Sequence, residues 1–468
     1  MPAGQLRAPG IAEPAVPGRP SGRRTRALLA ELFPVSAGPP ARPAAASRLA
    51  SLAVQLAAIA AGTILMLVRI SGRPVWDGIS TEDDDVFLAQ ALAHPWHLQS
   101  YGGYLELVPR LIAQLVSLLP IRYAAVGFAV SGALVASGCG LFAYHASAAL
   151  ISFRWLRVLL GLSVLLLPVA QLEIADNGVN TPFYLLIALF WAVLWRPRSR
   201  AGASVAAALG FATVASNPLA VLFAPLLVAR AIVVPRRIRE HAVTIGWAIG
   251  CLLQVPFIIT SQVSRTAHAA LANSLTYLAR DVVAPALGWH LAWQLRAAFG
   301  PSGATLIVGG LLALILALAV ATQAGRCRVF VVTAVATGLL FTFVAATLSW
   351  LPSQPVTPGM EPGARYSTLP ILLIDAAVIV SADACARRWG SRIWAVYAVT
   401  ALVAVLSVGW VSDFRYPVSR NSGPAWALTA TTWLHHCQQG PGKSITVTSG
   451  AWFGKAPVTT FSCSSLRR

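Results

Sequence analysis

The sequence predicts an all-α polytopic membrane protein in which about eleven helices cross the bilayer. Of its 468 residues, 57% are hydrophobic and 11% are charged, whereas roughly a quarter of an average soluble domain is charged. The apolar residues also lie in long charge-free blocks, and a helix that spans a bilayer needs about 20 such residues. A soluble fold of this size could not cover that much apolar surface, so a soluble protein is excluded.

The predicted spans follow the charge-free blocks of the chain. They are residues 49–68, 123–146, 158–172, 179–195, 200–216, 218–234, 242–262, 302–323, 329–349, 367–382 and 393–411. The fifth and sixth are separated at Pro218, because proline ends a helix and because arginines flank this pair of blocks on both sides. Short basic loops prefer the cytoplasm, so both ends of the pair are expected on the same side of the membrane.

The net charge of +19 lies largely in short loops between the blocks, which favours a topological role and no nucleic-acid partner. These loops predict a cytoplasmic amino terminus and an extracytoplasmic carboxyl terminus, with most acids outside. Arginine and alanine abound, and Lys443 and Lys455 are the only lysines. This composition is typical of a GC-rich bacterial genome and indicates a multi-pass protein of a bacterial plasma membrane.

Three regions follow from this pattern. Residues 1–47, rich in Pro, Ala, Gly and Arg, are predicted to form a disordered basic cytoplasmic tail. Residues 48–411 are predicted to form the transmembrane domain, and residues 412–468 a small extracytoplasmic unit. The outer loops of the transmembrane domain are then residues 70–120, 173–180, 263–300 and 350–366.

The predicted carboxyl-terminal unit has an α/β pattern. A helix is expected through Trp426, and the alternation of Ser444–Thr448 and Val458–Phe461 predicts two short strands. Cys437 and Cys463 are the cysteines that fall on the oxidising side of the membrane, so a disulfide between them is predicted.

The first outer loop carries four consecutive acids, residues 82–85, followed by Val86-Phe87-Leu88. Four adjacent carboxylates need solvent or a cation, so a divalent cation is one expectation here. The alternative is structural: Thr81 and Asp84 have the spacing of a capping box, and acids at a helix start complement its dipole. The apolar residues would then lie on the membrane as an interfacial helix.

Two further outer segments carry polar side chains. The turn at residues 173–180 contains two acids and two asparagines, which form either an ordinary polar turn or a set of ligands for sugar hydroxyls. Arg365 and Tyr366 directly precede a span, where Arg365 is either a bidentate phosphate ligand or an interfacial anchor. Asp375 lies inside the tenth span, where an ionisable group is costly.

The arrangement of these segments resembles the superfamily of multi-spanning C-type glycosyltransferases (GT-C), in particular bacterial members without a large periplasmic domain. The residues that carry the resemblance are Glu82-Asp83 with Phe87-Leu88, Gly103-Tyr104-Leu105, Pro109-Arg110, the turn from Asn177 to Asn180, Arg365-Tyr366, and the outward tail with two cysteines. A GT-C-like fold is therefore expected.

The resemblance implies transfer of a sugar from a polyprenyl-phosphate donor to an envelope glycan or lipid acceptor, with inversion at the anomeric carbon. It assigns the catalytic base to Asp83, with Glu82 and Asp85 as neighbours or metal contacts. The substrate-binding residues are then Tyr104, Arg110, Asn177, Asn180, Arg365 and Tyr366. No cofactor other than a divalent cation at the acidic loop is expected.

The alternative function is a transporter or flippase for a lipid-linked or amphiphilic solute. Such a protein needs charges along a path through the membrane, and Asp375 is the clear candidate for one. Most polar residues instead lie on the outer side in the predicted topology, which favours an enzyme at that face.

Overall fold

The computed structural model describes residues 21–34, 45–80, 82–261, 271–300, 302–323, 325–348, 363–389, 393–416, 425–440, 442–448 and 458–466. Thr81, the capping-box residue of the first outer loop, lies outside these ranges, as do most of loop 350–366 and residues 263–270.

The described chain is almost entirely helical. Its α-helices are α1 (Ser21–Ala30), α2 (Ala45–Arg69), α3 (Ala89–Ala93), α4 (Leu107–Ser117), α5 (Ala124–Ala146), α6 (Arg154–Leu166), α7 (Ala170–Glu173), α8 (Thr181–Leu194), α9 (Arg200–Ser216), α10 (Ala224–Val233), α11 (Ala242–Ile259), α12 (Leu271–Tyr277), α13 (Trp289–Phe299), α14 (Gly303–Thr322), α15 (Arg326–Leu348), α16 (Ala364–Trp389), α17 (Ile393–Ser412) and α18 (Trp426–Gln438). Two strands, β1 (Ser444–Thr448) and β2 (Val458–Ser462), pair antiparallel.

Six helices of the described chain are long and apolar enough to cross a membrane. The apolar segments that could cross the membrane are Leu49–Arg69, Ile121–Ala149, Ala242–Ile259, Gly303–Thr322, Arg326–Leu348 and Ala364–Arg388. The other five predicted spans overlap with α6, α8, α9, α10 and α17, although α6 ends at Leu166, six residues before the predicted end of its span. The protein therefore has the helices of a polytopic membrane protein, and the total of eleven spans stays a prediction.

The break between the fifth and sixth blocks occurs where it was predicted. α9 ends at Ser216, the Asn217 side chain accepts from the Leu219 N–H at 3.0 Å, and a 3-10 turn begins at Pro218. The Ser216 hydroxyl accepts from the N–H of Val108 in the first outer loop at 2.9 Å. The tip of this pair of helices therefore contacts the first outer loop.

The start of α9 and the end of α10 lie close together at the opposite end of the bundle. Arg230, near the end of α10, donates to the carbonyls of Val193 and Glu240, and Arg196 lies 2.6 Å from the Glu240 carboxylate. Arg326, Arg387 and Arg388 lie at the same end, since Arg326 lies 3.9 Å from Glu31 and all three line one cavity. We call this the basic end, and the end that carries residues 82–117 and 173–180 the loop end.

Buried acids contact the starts of helices that are distant in sequence. Asp383 of α16 accepts from the N–H groups of Ser152 and Phe153, just before α6, at 2.8 and 2.9 Å. Asp413 accepts from N–H groups at the start of α13, among them that of His290 at 3.1 Å. A carboxylate in this position satisfies free N–H groups and complements the positive end of the helix dipole.

Two arginines, the buried Arg69 and the exposed Arg388, make the converse contact at helix ends. Arg69 donates to the carbonyls of Leu165, Leu166 and Leu167, where α6 ends. Arg388 donates to the carbonyl of Thr322, where α14 ends. Charged side chains of this apolar protein therefore pair with the backbone N–H and carbonyl groups at helix ends, as well as with opposite charges.

Part of the tail predicted to be disordered is folded. Residues 21–30 form α1, and the next turn buries Leu32 and Phe33. Phe33 lies under the guanidinium of Arg230, 5.8 Å from it. These apolar contacts offset the entropy cost of ordering the segment, which the composition of the whole tail did not indicate.

The apolar residues of the first outer loop differ from their predicted place. Val86, Phe87 and Leu88 are fully buried in a cluster that includes Trp426 and Phe461, so protein covers them and not lipid. Helix α4 instead exposes an apolar face through Leu111, Leu115 and Leu118, as an interfacial helix would.

The carboxyl-terminal unit has the predicted composition of one helix and two strands. Ile445 pairs with Phe461 across the sheet. The predicted disulfide between Cys437 and Cys463 is present and joins the end of α18 to the end of β2. The Trp426 ring N–H donates to the carbonyl of Ile121 at 2.9 Å, which fixes the unit against the start of the second predicted span.

Candidate functional site

Asp83 joins the first outer loop to the turn at residues 173–180. It begins a π-helical segment, Asp83–Leu88, which turns its side chain inward. Its two carboxylate oxygens accept from the N–H groups of Gly178 at 3.0 Å and Val179 at 2.8 Å, and the residue is 0% exposed. A Cβ on Gly178 would lie 2.7 Å from the Phe128 ring, so glycine allows this approach.

The two asparagines predicted to bind sugar hydroxyls hold their own turn together. The side-chain amides of Asn177 and Asn180 both donate to the carbonyl of Glu173, and the Asn177 side-chain oxygen accepts from the Asn180 N–H at 3.0 Å. Both are buried. Gly132 of α5 gives this turn its space, since a Cβ there would lie 2.5 Å from the Asn177 carbonyl oxygen.

Glu173 links the turn to the start of α16. Its carboxylate accepts from the N–H groups of Gly363 and Arg365, each at 2.9 Å. Gly363 has φ of 84°, a conformation that favours glycine. The carbonyl of Gly363 also accepts from the Tyr277 hydroxyl at 2.9 Å. The backbone before Arg365 is thus fixed from two sides.

The guanidinium of Arg365 lies between two carboxylates. Its Nη1 is 3.7 Å from Oε2 of Glu82, its Nε is 3.9 Å from Oε2 of Glu173, and its side chain is 17% exposed. Both distances exceed the roughly 3.2 Å of a normal protein hydrogen bond. Among the described residues, the guanidinium of Arg365 therefore interacts with these carboxylates through charge and makes no short hydrogen bond to them. The ring of Tyr366 packs beside it and contacts Phe183 edge-on at 5.5 Å.

A two-residue turn presents Tyr101 and Tyr104 to the same place. Gly102 and Gly103 both have positive φ, as the central residues of a type I′ turn require, and the two tyrosines form a backbone bridge. The Tyr101 hydroxyl donates to Glu82 at 3.3 Å. The Tyr104 hydroxyl hydrogen-bonds to the Glu106 carboxyl. Burial raises the pKa of both phenols above its ordinary value.

Two acids of the first outer loop retain protons near neutral pH. Burial, followed by the nearby charge of Glu82, raises the pKa of Glu106 to about 8. Burial and the adjacent Asp85 raise the pKa of Asp84 to about 8, and the Asp85 N–H donates to Asp84 at 2.7 Å. The four consecutive acids therefore do not carry four full charges at pH 7.

Arg110, predicted to be a substrate-binding residue, makes hydrogen bonds within the first outer loop. Its Nε donates to the carbonyl of Leu105 at 2.8 Å and its Nη1 donates to Gln90 at 2.9 Å. The guanidinium packs over the Phe87 ring at 5.4 Å and the residue is buried. Arg365, which is partly exposed, is the better placed of the two to meet an anion.

The expected cation has no evident ligand set in the described chain. No group of three or more His, Cys, Asp or Glu side chains converges there in a way that could hold a metal ion. Asp84 and Asp85 are partly exposed, whereas Asp83 is directed at the 173–180 turn. Asp375, the intramembrane acid of the alternative function, is buried on α16.

The structure thus gathers Glu82, Asp83, Tyr104, Asn177, Asn180, Arg365 and Tyr366 at the loop end, with Arg110 behind them. Tyr101 and Glu106 were not among the predicted site residues, and Glu173 was considered only as one of the two acids in the turn at 173–180. The pair of tyrosines around Gly-Gly is a turn signal that could have indicated Tyr101. The role of Glu173 was not visible from the sequence, because Gly363 and Arg365 lie about 190 residues further along the chain.

Comparison with models of known protein families finds no match to this chain. Comparison with curated proteins finds no match either. The site must therefore be interpreted from its own geometry.

Proposed function

We propose that this protein is an integral membrane glycosyltransferase that transfers a sugar from a polyprenyl-phosphate donor to an envelope glycan or lipid acceptor. In this proposal the protein lies in a bacterial plasma membrane, with the loop end on the extracytoplasmic side. The observation that carries it is the pair of Arg365 and Glu82: a guanidinium that makes only long contacts to the described carboxylates lies 3.7 Å from the partly exposed carboxylate of Glu82. A phosphate ligand and a proton acceptor side by side are what this reaction needs.

In the proposed step, Arg365 binds the donor phosphate through two parallel N–H···O bonds, replacing its long contacts to Glu82 and Glu173. The acceptor oxygen forms a bond to the anomeric carbon while the bond from that carbon to the phosphate oxygen breaks. The acceptor proton passes to a carboxylate, and polyprenyl phosphate leaves in the membrane. Attack opposite the leaving group inverts the anomeric carbon. The hydroxyl oxygens of Tyr101 and Tyr104 accept from sugar hydroxyls, since the phenol protons are directed to Glu82 and Glu106.

Two carboxylates compete for the role of base. The resemblance assigns it to Asp83, but both oxygens of Asp83 already accept backbone N–H groups and the residue is fully buried. Glu82 is 20% exposed and contacts Tyr101 and Arg365. Access therefore favours Glu82 as the base, with Asp83 as a positioning residue that holds the 173–180 turn.

The test is transfer of radiolabel from a panel of polyprenyl-phosphate pentoses and hexoses in membranes that contain the protein. Glu82→Gln and Asp83→Asn are compared at matched protein abundance. Loss of a base lowers the rate by about 10²–10⁴-fold. A loss confined to Glu82→Gln assigns the base to Glu82. If Asp83→Asn alone abolishes transfer at normal abundance and melting temperature, the base is Asp83.

The phosphate role of Arg365 has a matched control in the chain. Arg122-Tyr123 is a second Arg-Tyr pair before a span, and Arg122 packs on Tyr123 at 4.7 Å as Arg365 packs on Tyr366 at 5.5 Å. Arg365→Lys keeps the charge and removes the fork, so transfer should fall about tenfold or more, while Arg122→Lys should leave it unchanged. Equal activity of both variants would make Arg365 an interfacial anchor.

The alternative function, a transporter or flippase, depends on Asp375. A transporter would give no labelled product with any donor. It would require Asp375 to move a lipid-linked solute across the membrane of a vesicle. Absence of transfer by the wild-type protein, together with loss of solute movement in Asp375→Asn, would replace the glycosyltransferase proposal.

A further inference from the structure

A second polar site lies at the basic end, away from the residues discussed so far. A cavity of about 420 Å³ opens there between the end of α14, the start of α15 and the end of α16. Its polar lining consists of Gln323, Arg326, Arg387, Arg388 and Glu31. We call this cavity the basic pocket.

Among the residues that the structure describes, the arginines of the basic pocket use only part of their hydrogen-bonding capacity. Arg326 donates to the carbonyl of Ala149 at 3.1 Å, Arg387 pairs with Asp383 at 2.8 Å, and Arg388 donates to a helix-end carbonyl. The side chains of Arg326 and Arg387 are 46% and 47% exposed. Each guanidinium has five N–H groups, so donors and positive charge remain for an anion in the pocket.

The counter-charge in the pocket comes from a different part of the chain. Glu31, which follows α1, is the acid among its lining residues and lies 3.9 Å from Arg326. A second cavity of about 330 Å³ is also lined by Glu31 and Arg326, together with Phe33 and Pro34. Glu31 at 3.9 Å from Arg326 and Asp383 at 2.8 Å from Arg387 together do not neutralise three arginines, and the position of Glu31 shows where an anion can approach.

The pocket lies at the depth of lipid headgroups. Arg326 begins one apolar span and Arg388 ends another, and arginines at the ends of spans lie at the membrane interface. The anion present at that depth is the phosphate of a phospholipid. Arginine binds phosphate in a bidentate way, and basic pockets between transmembrane helices bind anionic headgroups.

We propose that the basic pocket binds the phosphate of an anionic phospholipid headgroup through Arg326, Arg387 and Arg388, and that Glu31 competes with it. The segment that carries Glu31 is held by Phe33 against Arg230, so binding of lipid displaces one carboxylate without unfolding α1. This inference does not depend on the proposed glycosyltransferase activity, because its residues lie at the other end of the bundle.

The test uses the full-length protein in a neutral detergent, with its melting temperature and native mass spectrum recorded at increasing phosphatidylglycerol. Phosphatidylcholine and inorganic phosphate are the comparison arms. A ligand that binds the folded state raises the melting temperature in proportion to its affinity. We expect stabilisation and a retained lipid adduct with phosphatidylglycerol alone.

Two sets of variants locate the binding. Replacing Arg326, Arg387 and Arg388 with Gln should weaken phosphatidylglycerol binding by about tenfold or more. The matched control replaces Arg236, Arg237 and Arg239 with Gln: these arginines are exposed, do not line the pocket, and carry the same charge. The control should bind as the wild type does.

Glu31→Gln tests the competition without removing any pocket arginine, so it remains informative if the triple variant fails to fold. It should bind phosphatidylglycerol more tightly than the wild type, by a few-fold. Equal loss in the control triple variant, equal stabilisation by phosphatidylcholine or by inorganic phosphate, or an unchanged affinity in Glu31→Gln would each overturn the proposal.

Discussion

Adjacent acids of the first outer loop have opposite environments. Asp83 is enclosed with both oxygens on backbone N–H groups. Asp84, one residue later, has a pKa raised to about 8 by burial and by Asp85. Two N–H groups that donate to a carboxylate favour its charged form. Burial beside a second carboxylate favours the protonated form instead.

This contrast predicts different effects of the same substitution. In Asp83→Asn an amide NH₂ faces a backbone N–H, and leaving that buried donor unsatisfied costs about 1–3 kcal/mol. Asp84→Asn removes an ionisable group that folding disfavours and should leave stability at pH 8 unchanged or raised. Melting temperatures of the two purified variants at pH 8 check this. Similar losses in both would contradict the anchoring role of Asp83.

Glu106 predicts a pH dependence of stability. Its folded pKa is about 8 against an ordinary value of 4.5, so the folded state binds a proton that the unfolded state has lost between these values. Stability should therefore be highest below about pH 5 and fall as pH rises to about 8. Glu106→Gln mimics the protonated acid and should flatten the melting temperature across this window. Asp84→Asn should flatten it further, because Asp84 titrates in the same range; a profile unchanged in the double variant would count against both.

Several helices begin at a carboxylate supplied by another segment. Asp383 serves α6, Asp413 serves α13, and Glu173 serves α16, while Asp83 serves the turn before α8. In an apolar protein with 16 acidic residues, these contacts fix helix positions that apolar packing alone leaves free to slide. They also give buried charges partners without requiring lysine.

The cap on α16 is open to a direct test. Glu173→Ala removes both acceptors from the Gly363 and Arg365 N–H groups and should cost about 0.5–2 kcal/mol. Glu173→Gln keeps one acceptor and loses mainly the dipole contribution, about 0.3–1 kcal/mol. Thermal unfolding of both variants measures the difference. Equal destabilisation would mean that the charge of Glu173 acts on Arg365 and not on the helix start.

The elements were largely predictable because each leaves a local signal. Charge-free blocks marked the long helices, Pro218 marked the break after α9, and two cysteines on one side marked the disulfide. The partners of Asp83 and Glu173 were not predictable, since they lie far along the chain. Nor could Val86 to Leu88 be placed, because hydropathy alone does not distinguish a lipid cover from a protein cover.

The whole molecule has two chemically distinct ends, and their orientation can be measured. If the basic end is cytoplasmic, a reporter active only outside the membrane should be silent after Arg239 and active after Arg468. An active reporter after Arg239 would mean that α9 and α10 do not form two spans, and that every later loop lies on the opposite side of the membrane from the one predicted.

The disulfide contributes to the whole molecule by holding the carboxyl-terminal unit closed. Cys437 and Cys463 are separated by 26 residues, for which the chain-entropy estimate is about 3 kcal/mol. Replacing both with Ser should therefore lower the melting temperature of the unit and loosen its contact with Phe87 and Leu88. Protease sensitivity of the first outer loop, compared with that of a Cys139→Ser control, measures this. Labelling of both thiols in unreduced native protein would contradict the bond.

The contact between Trp426 and Ile121 has a consequence for biogenesis. The two residues are 305 positions apart, so on the ribosome the first outer loop emerges long before the unit that covers it. In the interval its apolar residues need a temporary cover, such as a chaperone or the insertion machinery. Completion of the loop end thus waits on the synthesis and oxidation of a distant segment, which makes this end of the protein a late product of assembly.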